Sequence, residues 1–268
     1  MNSVEEHYAA PGLLLRVRDA LKRSGLDPDH LRQADIEKLD QFHVGGLDAT
    51  DDLAAAAKIQ ASDRVLDLGS GIGGPSRHLA SSIGCRVTGL DLTREYCEVA
   101  TALAQSTGLA HLVDYQQGDA LHTPFENESF NVVWTQHASM NIEDKPALYR
   151  EIFRVLAPNG RLALHDVVAG SGPVRYPLPW ASNAVFSFLI AEADLENALR
   201  DAGFRIESSI DQTKEGLDFL RQAASRPPSS GFGLATLLGP DFPSMIANLI
   251  ANLDAGSCRV IQIVSARY

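Results

Sequence analysis

Cysteine is scarce in this 268-residue chain: Cys85, Cys97 and Cys258 are widely spaced, odd in number and form no C-x-x-C pair. That pattern leaves no disulfide framework and no metal-ligating set, and it predicts a reduced, cytoplasmic protein. Long apolar runs are missing too, since no stretch approaches the ~18 apolar residues of a membrane span. Leu13-Leu14-Leu15 sits among Arg16, Arg18 and Lys22 with no small-residue cleavage site behind it, so no signal peptide is expected. Basic residues are outnumbered, 23 Lys and Arg against 34 Asp and Glu, for a net charge of −11. A nucleic-acid grip would need clustered cations, so that partner is excluded. There is no internal repeat and no low-complexity tract. The nearest thing to a breaker cluster is Arg226-Pro227-Pro228-Ser229-Ser230-Gly231, which reads as a mobile loop.

From position 64 to 168 short β-branched runs alternate with helical periods. Val65-Leu66-Asp67-Leu68 reads as a strand entering a glycine-rich loop, Gly69 to Gly74, with a helix from Gly74 to Ile83 behind it. Arg86 to Asp91 is a second strand; Tyr96, Val99, Ala100 and Leu103 then lie on one helical face. Further strands fall at 113–116, 130–135 and 162–168. A helix opening with Asp144 and Pro146 is expected to end at Asn159-Gly160. Such alternation predicts a doubly wound parallel sheet with right-handed crossovers. A strand near 204–206 and a terminal one at 259–264, with no helix after it, suggest an antiparallel insertion. Helices are expected around 192–202, 214–224 and 240–255. Residues 1–58 read as an N-terminal helical lid on a domain spanning 59–268, with cap insertions at about 169–190 and 213–256. These outlying pieces would cover the carboxyl ends of the strands, where open α/β sheets bind ligands.

Gly69, Gly71 and Gly74 satisfy G-x-G-x-x-G, and Asp91 follows about twenty residues later, as in a dinucleotide fold. A nicotinamide-dependent oxidoreductase is therefore one reading, and a cofactor-binding protein without chemistry another. Three details favour a different cofactor. Asp67, two residues before the first glycine, would repel a pyrophosphate but attract an ammonium group. Asp119, in Gly118-Asp119-Ala120, can accept from an adenine amino group. A terminal unpaired strand does not suit a six-stranded parallel sheet.

Val65 to Gly74 resembles the first motif of class I S-adenosylmethionine-dependent methyltransferases. Arg154 to Leu162 resembles their "RVLxPGG" segment, with Asn159 in place of the first glycine, and Asp194 to Phe204 resembles their penultimate helix and strand. Within the class, Gly73 to Ala80, Trp134-Thr135-Gln136-His137 and His43-Val44-Gly45 are similar to the sarcosine/dimethylglycine N-methyltransferases and to tocopherol- and quinone-type enzymes. The resemblance implies a Rossmann-like α/β sheet of order 3-2-1-4-5-7-6 with strand 7 antiparallel, and S-adenosyl-L-methionine as cofactor. It places Asp67, Gly69, Ser70, Gly71, Asp91, Leu92, Asp119, Ala120 and Gln136 at that cofactor.

Methyl transfer from a sulfonium is an in-line displacement that needs alignment and dryness more than acid–base machinery. A neutral amine needs no strong base, whereas a hydroxyl needs a His or carboxylate within reach. His137, ending the fourth strand, is the first candidate for that role, with an ordinary hydrogen-bonded strand-end residue as the alternative. His43 is a second candidate, in a loop where histidines are more often surface residues. Asn141 stands where several similar amine methyltransferases carry a histidine. Asp166 reads as a loop brace. Arg77 either holds an anionic substrate or serves its own helix. Tyr176 and Trp180, among Pro173, Pro177 and Pro179, either wall a substrate pocket or fill a core. The expected acceptor is a small amine, phenol or quinol; oligomeric state is left open.

Overall fold

The computed structural model describes residues 11–37, 40–225 and 233–268. The breaker cluster at 226–231 lies outside them. Helices α1 (Leu13–Arg23), α2 (Gln33–Ile36) and α3 (Gly46–Ala56) precede the sheet. Then follow β1 (Arg64–Leu68), α4 (Gly74–Ile83), β2 (Arg86–Asp91), α5 (Arg94–Ser106), β3 (Val113–Gln117), β4 (Phe130–Gln136), α6 (Lys145–Val155) and β5 (Leu156–Ala169). The chain continues through α7 (Glu192–Asp201), β6 (Phe204–Asp211), α8 (Thr213–Ala224), α9 (Leu234–Leu238), α10 (Phe242–Asp254) and β7 (Cys258–Arg267).

The seven strands stand in the order β3-β2-β1-β4-β5-β7-β6. β1 to β5 pair in parallel, and β7 runs antiparallel between β5 and β6. Period-2 alternation sends side chains to opposite faces, and both faces are covered, so the central strands are mainly apolar. Leu66, Leu68 and Val133 pack under Leu148, Ile152, Leu195 and Leu199 on one face. Val65, Val132 and Trp134 pack under Leu53, Leu79 and Ala104 on the other. On the amphipathic α1, Leu13, Val17, Ala20 and Leu21 are buried against Ile72, Tyr96, Val99 and Leu103. The first helix thus sits beside the glycine loop.

The chain leaves α6 earlier than its periodicity predicts. The helix stops at Val155, not at Asn159-Gly160. Ala157 precedes a proline and is pushed out of the helical region, while Asn159 turns the chain at φ 62°, a conformation Asn tolerates better than most residues. The register against β4 then jumps from Phe130–Leu156 to Val132–Arg161. The last two strands are longer than the short apolar runs at 204–206 and 259–264, because each completes a ladder with its neighbour.

Candidate functional site

A cavity of about 540 Å³ opens at the carboxyl ends of β1, β2 and β4, with walls from the N-terminal segment, the loop after β4 and helices α8 to α10. Strand β1 delivers Asp67 to its floor. The loop that follows runs at positive φ at Gly69 (76°), Gly71 and Gly73. A Cβ on Gly69 would stand 2.5 Å from the Cβ of Ala138, and one on Gly74 would strike the backbone oxygen of Asp40. The loop is therefore pressed between two segments and has space for glycine alone at positions 69 and 74.

Asp91 ends β2 with both carboxylate oxygens tied to backbone, one to the Gly71 N–H at 2.8 Å and one to the Thr93 N–H at 2.9 Å. Each oxygen keeps a second lone pair for a ligand hydroxyl. Asp67 accepts from Ser76 Oγ at 2.5 Å. Burial pushes its carboxyl up to about 7, and the charge of Asp91 adds to the effect. Asp119 is exposed at the cavity edge, and its Oδ1 accepts from the Leu121 N–H at 2.8 Å. Leu92, Ala120 and Ser70 share the wall, and Ser70 Oγ is buried without a protein partner.

Gln136 and His137 close β4. The Gln136 Oε1 accepts from Trp134 Nε1 at 3.0 Å and from Thr50 Oγ1 at 3.3 Å, which fixes the amide's orientation. Its Nε2 is buried with no partner, a donor lacking an acceptor. His137 has φ 52°, unusual for a non-glycine residue, and its N–H donates to the His165 carbonyl at 2.9 Å. Its ring stacks on His165 at 5.3 Å and 13°, and its Nε2 is buried and unpartnered. His43 stands edge-on to both rings, at 6.2 Å from His137 and 5.9 Å from His165. His43 Nε2 lies 2.9 Å from the Gly46 carbonyl. A carbonyl only accepts, so Nε2 carries the hydrogen and Nδ1 keeps the lone pair.

All three rings are neutral at neutral pH. Burial drives His43 down to about 4 and His165 to about 3, and it drives His137 well below the ordinary range, with the other two rings adding repulsion. Asp166 braces the loop after β4 by accepting from the Ser139 and Val167 N–H groups, each at 2.9 Å.

Of the residues singled out in the sequence, the cavity wall gathers His43, Asp67, Gly69, Ser70, Gly71, Asp91, Leu92, Asp119, Ala120, Gln136, His137, Asn141 and Trp180. Tyr176 is not on that wall; it packs with Leu178 and Trp180 in the cluster behind it. Trp180 is itself 3% exposed, with Nε1 donating to Ser187 Oγ at 3.0 Å. Arg77 faces no substrate: it is buried and paired with Asp40. The stacked position of His165, the Asp40 pairing and the aromatic walls at Phe42, Phe188, Phe219 and Phe242 went unread. Only the last left a signal, since Phe242, Ile246 and Leu249 of α10 follow helical spacing. Among the described residues no cluster of His, Cys, Asp or Glu could hold a metal ion, and no helix is long and apolar enough to cross a membrane.

Residues 66–164 match a family model described as a methyltransferase domain. Methyltransferase GfsG of Streptomyces halstedii is 34% identical over 134 residues, 50% of this chain and 48% of its own length. The chloroplastic tocopherol O-methyltransferase of Arabidopsis thaliana is 36% identical over 125 residues, 45% of this chain and 35% of its own. The chain thus spans about half, or less, of these curated relatives. Among solved structures, a geranyl diphosphate methyltransferase in complex with GPP and sinefungin superimposes with a TM-score of 0.71 at 21% identity, over 99% of this chain and 98% of that one. The sheet order, the reversed seventh strand and the loop between β1 and α4 define a Rossmann-like methyltransferase fold. Residues 66–164 thus carry a methyltransferase domain, on a sheet with the fold of the class I S-adenosylmethionine-dependent methyltransferases.

Proposed function

We propose that the chain transfers the methyl group of S-adenosylmethionine to a small-molecule acceptor, an amine, phenol or quinol, held in the cavity above β1 and β4. The observation that carries the proposal is one continuous cavity. Its wall joins the Asp67, Gly69 to Gly71, Asp91 and Asp119 cradle to the unpartnered nitrogen of His137. The cradle fits that cofactor. Asp91 offers lone pairs to the ribose hydroxyls, Asp67 an anionic group to the methionine ammonium, Asp119 and Ala120 the adenine edge, and Leu92 an apolar face. Gln136 Nε2 offers a donor to the carboxylate end. When bound, the cofactor would supply a sulfonium methyl, which an acceptor atom takes by in-line displacement of the thioether sulfur.

The chain's own residues align the acceptor, exclude water and take its proton. His137, the first candidate base, has an unpartnered Nε2 and is neutral at working pH, so it can accept a proton from a hydroxyl. His43 is the second candidate, with its free lone pair set by the Gly46 carbonyl. Residues 1–58 and the segments at 169–190 and 213–256 act as lid and cap, and a reduced, cytoplasmic setting suits three free, buried cysteines.

The test is transfer of labelled methyl from the cofactor across a panel of amines, phenols and quinols. A parallel thermal-shift comparison of S-adenosylhomocysteine with NAD covers the oxidoreductase reading. Stabilisation by NAD alone would overturn the proposal.

A further inference from the structure

The cradle takes up only part of the cavity. Another part of the wall is built from Trp180, Phe188, Phe219, Phe242, Ile246 and Leu249, contributed by the 173–190 segment and helices α8 and α10. The charged side chains on the wall are acidic: Asp40, Asp67, Asp91, Asp119, Glu143 and Asp144. Neither lysine nor arginine lines it among the described residues.

Two cations stand just behind the wall, and both are engaged. The Lys145 ammonium donates to the carbonyls of Ser139 (2.6 Å), Ile142 (2.5 Å) and Phe188 (2.8 Å), which uses all three of its protons. The Arg77 guanidinium is fully buried against Asp40 and the Ile72 carbonyl. A phosphate or carboxylate on an acceptor drawn against the aromatic wall would lose its water and meet acids, and no cationic side chain among the described wall residues offsets that cost.

We infer that the acceptor is a predominantly hydrocarbon molecule that bears a hydroxyl and no anionic group, that it is methylated on that oxygen, and that phosphorylated and carboxylated acceptors are refused. The inference rests on the methyl-transfer reading above and narrows it. The contrast is with the superimposed structure, which holds geranyl diphosphate. In the step itself, the acceptor oxygen forms a bond to the methyl carbon while the carbon–sulfur bond breaks and its electron pair returns to sulfur. The sulfonium becomes a neutral thioether. The hydroxyl proton passes to His137 Nε2, so the positive charge leaves as an imidazolium proton that solvent removes with the product.

Calorimetry on the full chain saturated with S-adenosylhomocysteine tests this with three probes of one shape: 2-naphthol, 2-naphthyl phosphate and 2-naphthoate. 2-Naphthol is expected to bind about tenfold or more tightly than either anion. Equal or tighter binding of an anion, or no binding of 2-naphthol, would overturn the inference. A substitution on α10, Ile246→Arg, places a cation on the wall and should raise affinity for 2-naphthyl phosphate selectively. No rise in that affinity in a folded variant that still binds S-adenosylhomocysteine counts against the charge argument. Failure of S-adenosylhomocysteine to bind the unaltered chain would sink the cofactor reading instead, whatever the ranking of the probes.

Discussion

The guanidinium of Arg77 meets the carboxylate of Asp40 at 2.6 Å, and neither side chain has any exposed surface. The pair joins the N-terminal segment to the helix that follows the glycine loop, and Arg77 Nη1 also donates to the Ile72 carbonyl at 2.7 Å. Breaking one partner strands a buried charge. Arg77→Met should therefore cost about 3–5 kcal/mol of stability and weaken S-adenosylhomocysteine binding. The double variant Arg77→Met with Asp40→Leu should recover much of the loss. Denaturant unfolding of the two variants decides it, and a single variant as stable as the parent would remove the pair from the account.

Asp91 offers a cleaner test of the cradle. Asp91→Ala leaves two ribose hydroxyls without their acceptor, so S-adenosylhomocysteine affinity should fall by about 1–3 kcal/mol. The same change releases the N–H groups of Gly71 and Thr93, which hold the loop's shape. Calorimetry on folded protein reads the first effect and thermal unfolding the second. Unchanged affinity would exclude the ribose assignment.

Asp67 predicts a pH dependence of cofactor binding. With its carboxyl at about 7 in the free protein, the group is partly protonated at neutral pH. An ammonium needs it as a carboxylate. S-adenosylhomocysteine should therefore bind more tightly as pH rises through about 7, with protons released on binding. Asp67→Asn should bind more weakly and lose that pH dependence. For stability the sign is opposite: a folded value raised above the ordinary 3.8 means that acidification from about 7 stabilises the folded protein through this group. Calorimetry in buffers of different ionisation enthalpy counts the protons. A count of zero across that range would refute the coupling.

The histidine cluster separates binding from chemistry. If His137 is the base, His137→Ala should lower kcat by ~10²-fold or more with S-adenosylhomocysteine affinity nearly unchanged. A rise in KM alone would reduce it to a substrate-orienting group. The cluster also affects acid stability. His43 and His165 have folded values near 4 and 3, below the ordinary 6.5, so below about 6.5 the unfolded chain takes up protons that the folded chain refuses. Stability conferred by the neutral rings is present above 6.5 and drains away as pH falls towards those values. Asp67 and Asp166 (raised to about 6) act in the opposite direction. The cluster is therefore best read by difference: His165→Phe keeps an aromatic ring against His137 and should flatten the acid limb of the unfolding profile. An unaltered limb would contradict the depressed value of His165.

The legibility of this protein follows the range of each interaction. The strands and the glycine loop could be read because each depends on a few consecutive residues, such as Asp67 to Gly74 at a strand end, whereas the sheet order followed only from the resemblance those motifs carry. The stacking of His137 on His165 and the Arg77–Asp40 contact join residues 28 and 37 positions apart. Nothing local announces them. Tyr176 and Trp180 make the same point more finely. Both sit in one proline-rich loop, yet of the two only Trp180 reaches the cavity, because Tyr176 is held in the cluster behind it with Leu249 and Leu253.

A sulfonium site profits from dryness, and an open sheet edge cannot supply it. In this chain the N-terminal segment brings Phe42, His43 and Val44 to the cavity, and α9 brings Leu234, Leu237 and Leu238. Gly45 and Gly46 both hold positive φ, 88° and 55°, at the point where that segment turns into α3. A Cβ at Gly46 would press on the ring of Phe219 from α8, so the two sides of the cap already touch there. α1 adds Leu13, Val17 and Leu21 to the cluster that holds Ile72, Tyr96 and Leu237. The N-terminal segment is thus fastened at α1 and at Asp40, with the glycine pair as its hinge. Cofactor and acceptor together should tighten it, and amides of residues 42–46 and 234–238 should gain hydrogen-exchange protection when S-adenosylhomocysteine binds. Gly45→Ala brings a Cβ to 2.7 Å from that of Ala49 at a φ that side chains rarely adopt, and should slow turnover while cofactor affinity holds. Removing residues 1–46 uncovers the apolar face of α5 and strands Arg77, so that truncation should lower the melting temperature as well as turnover. If neither stretch gains protection on binding, these segments are fixed scaffold and the closure idea fails.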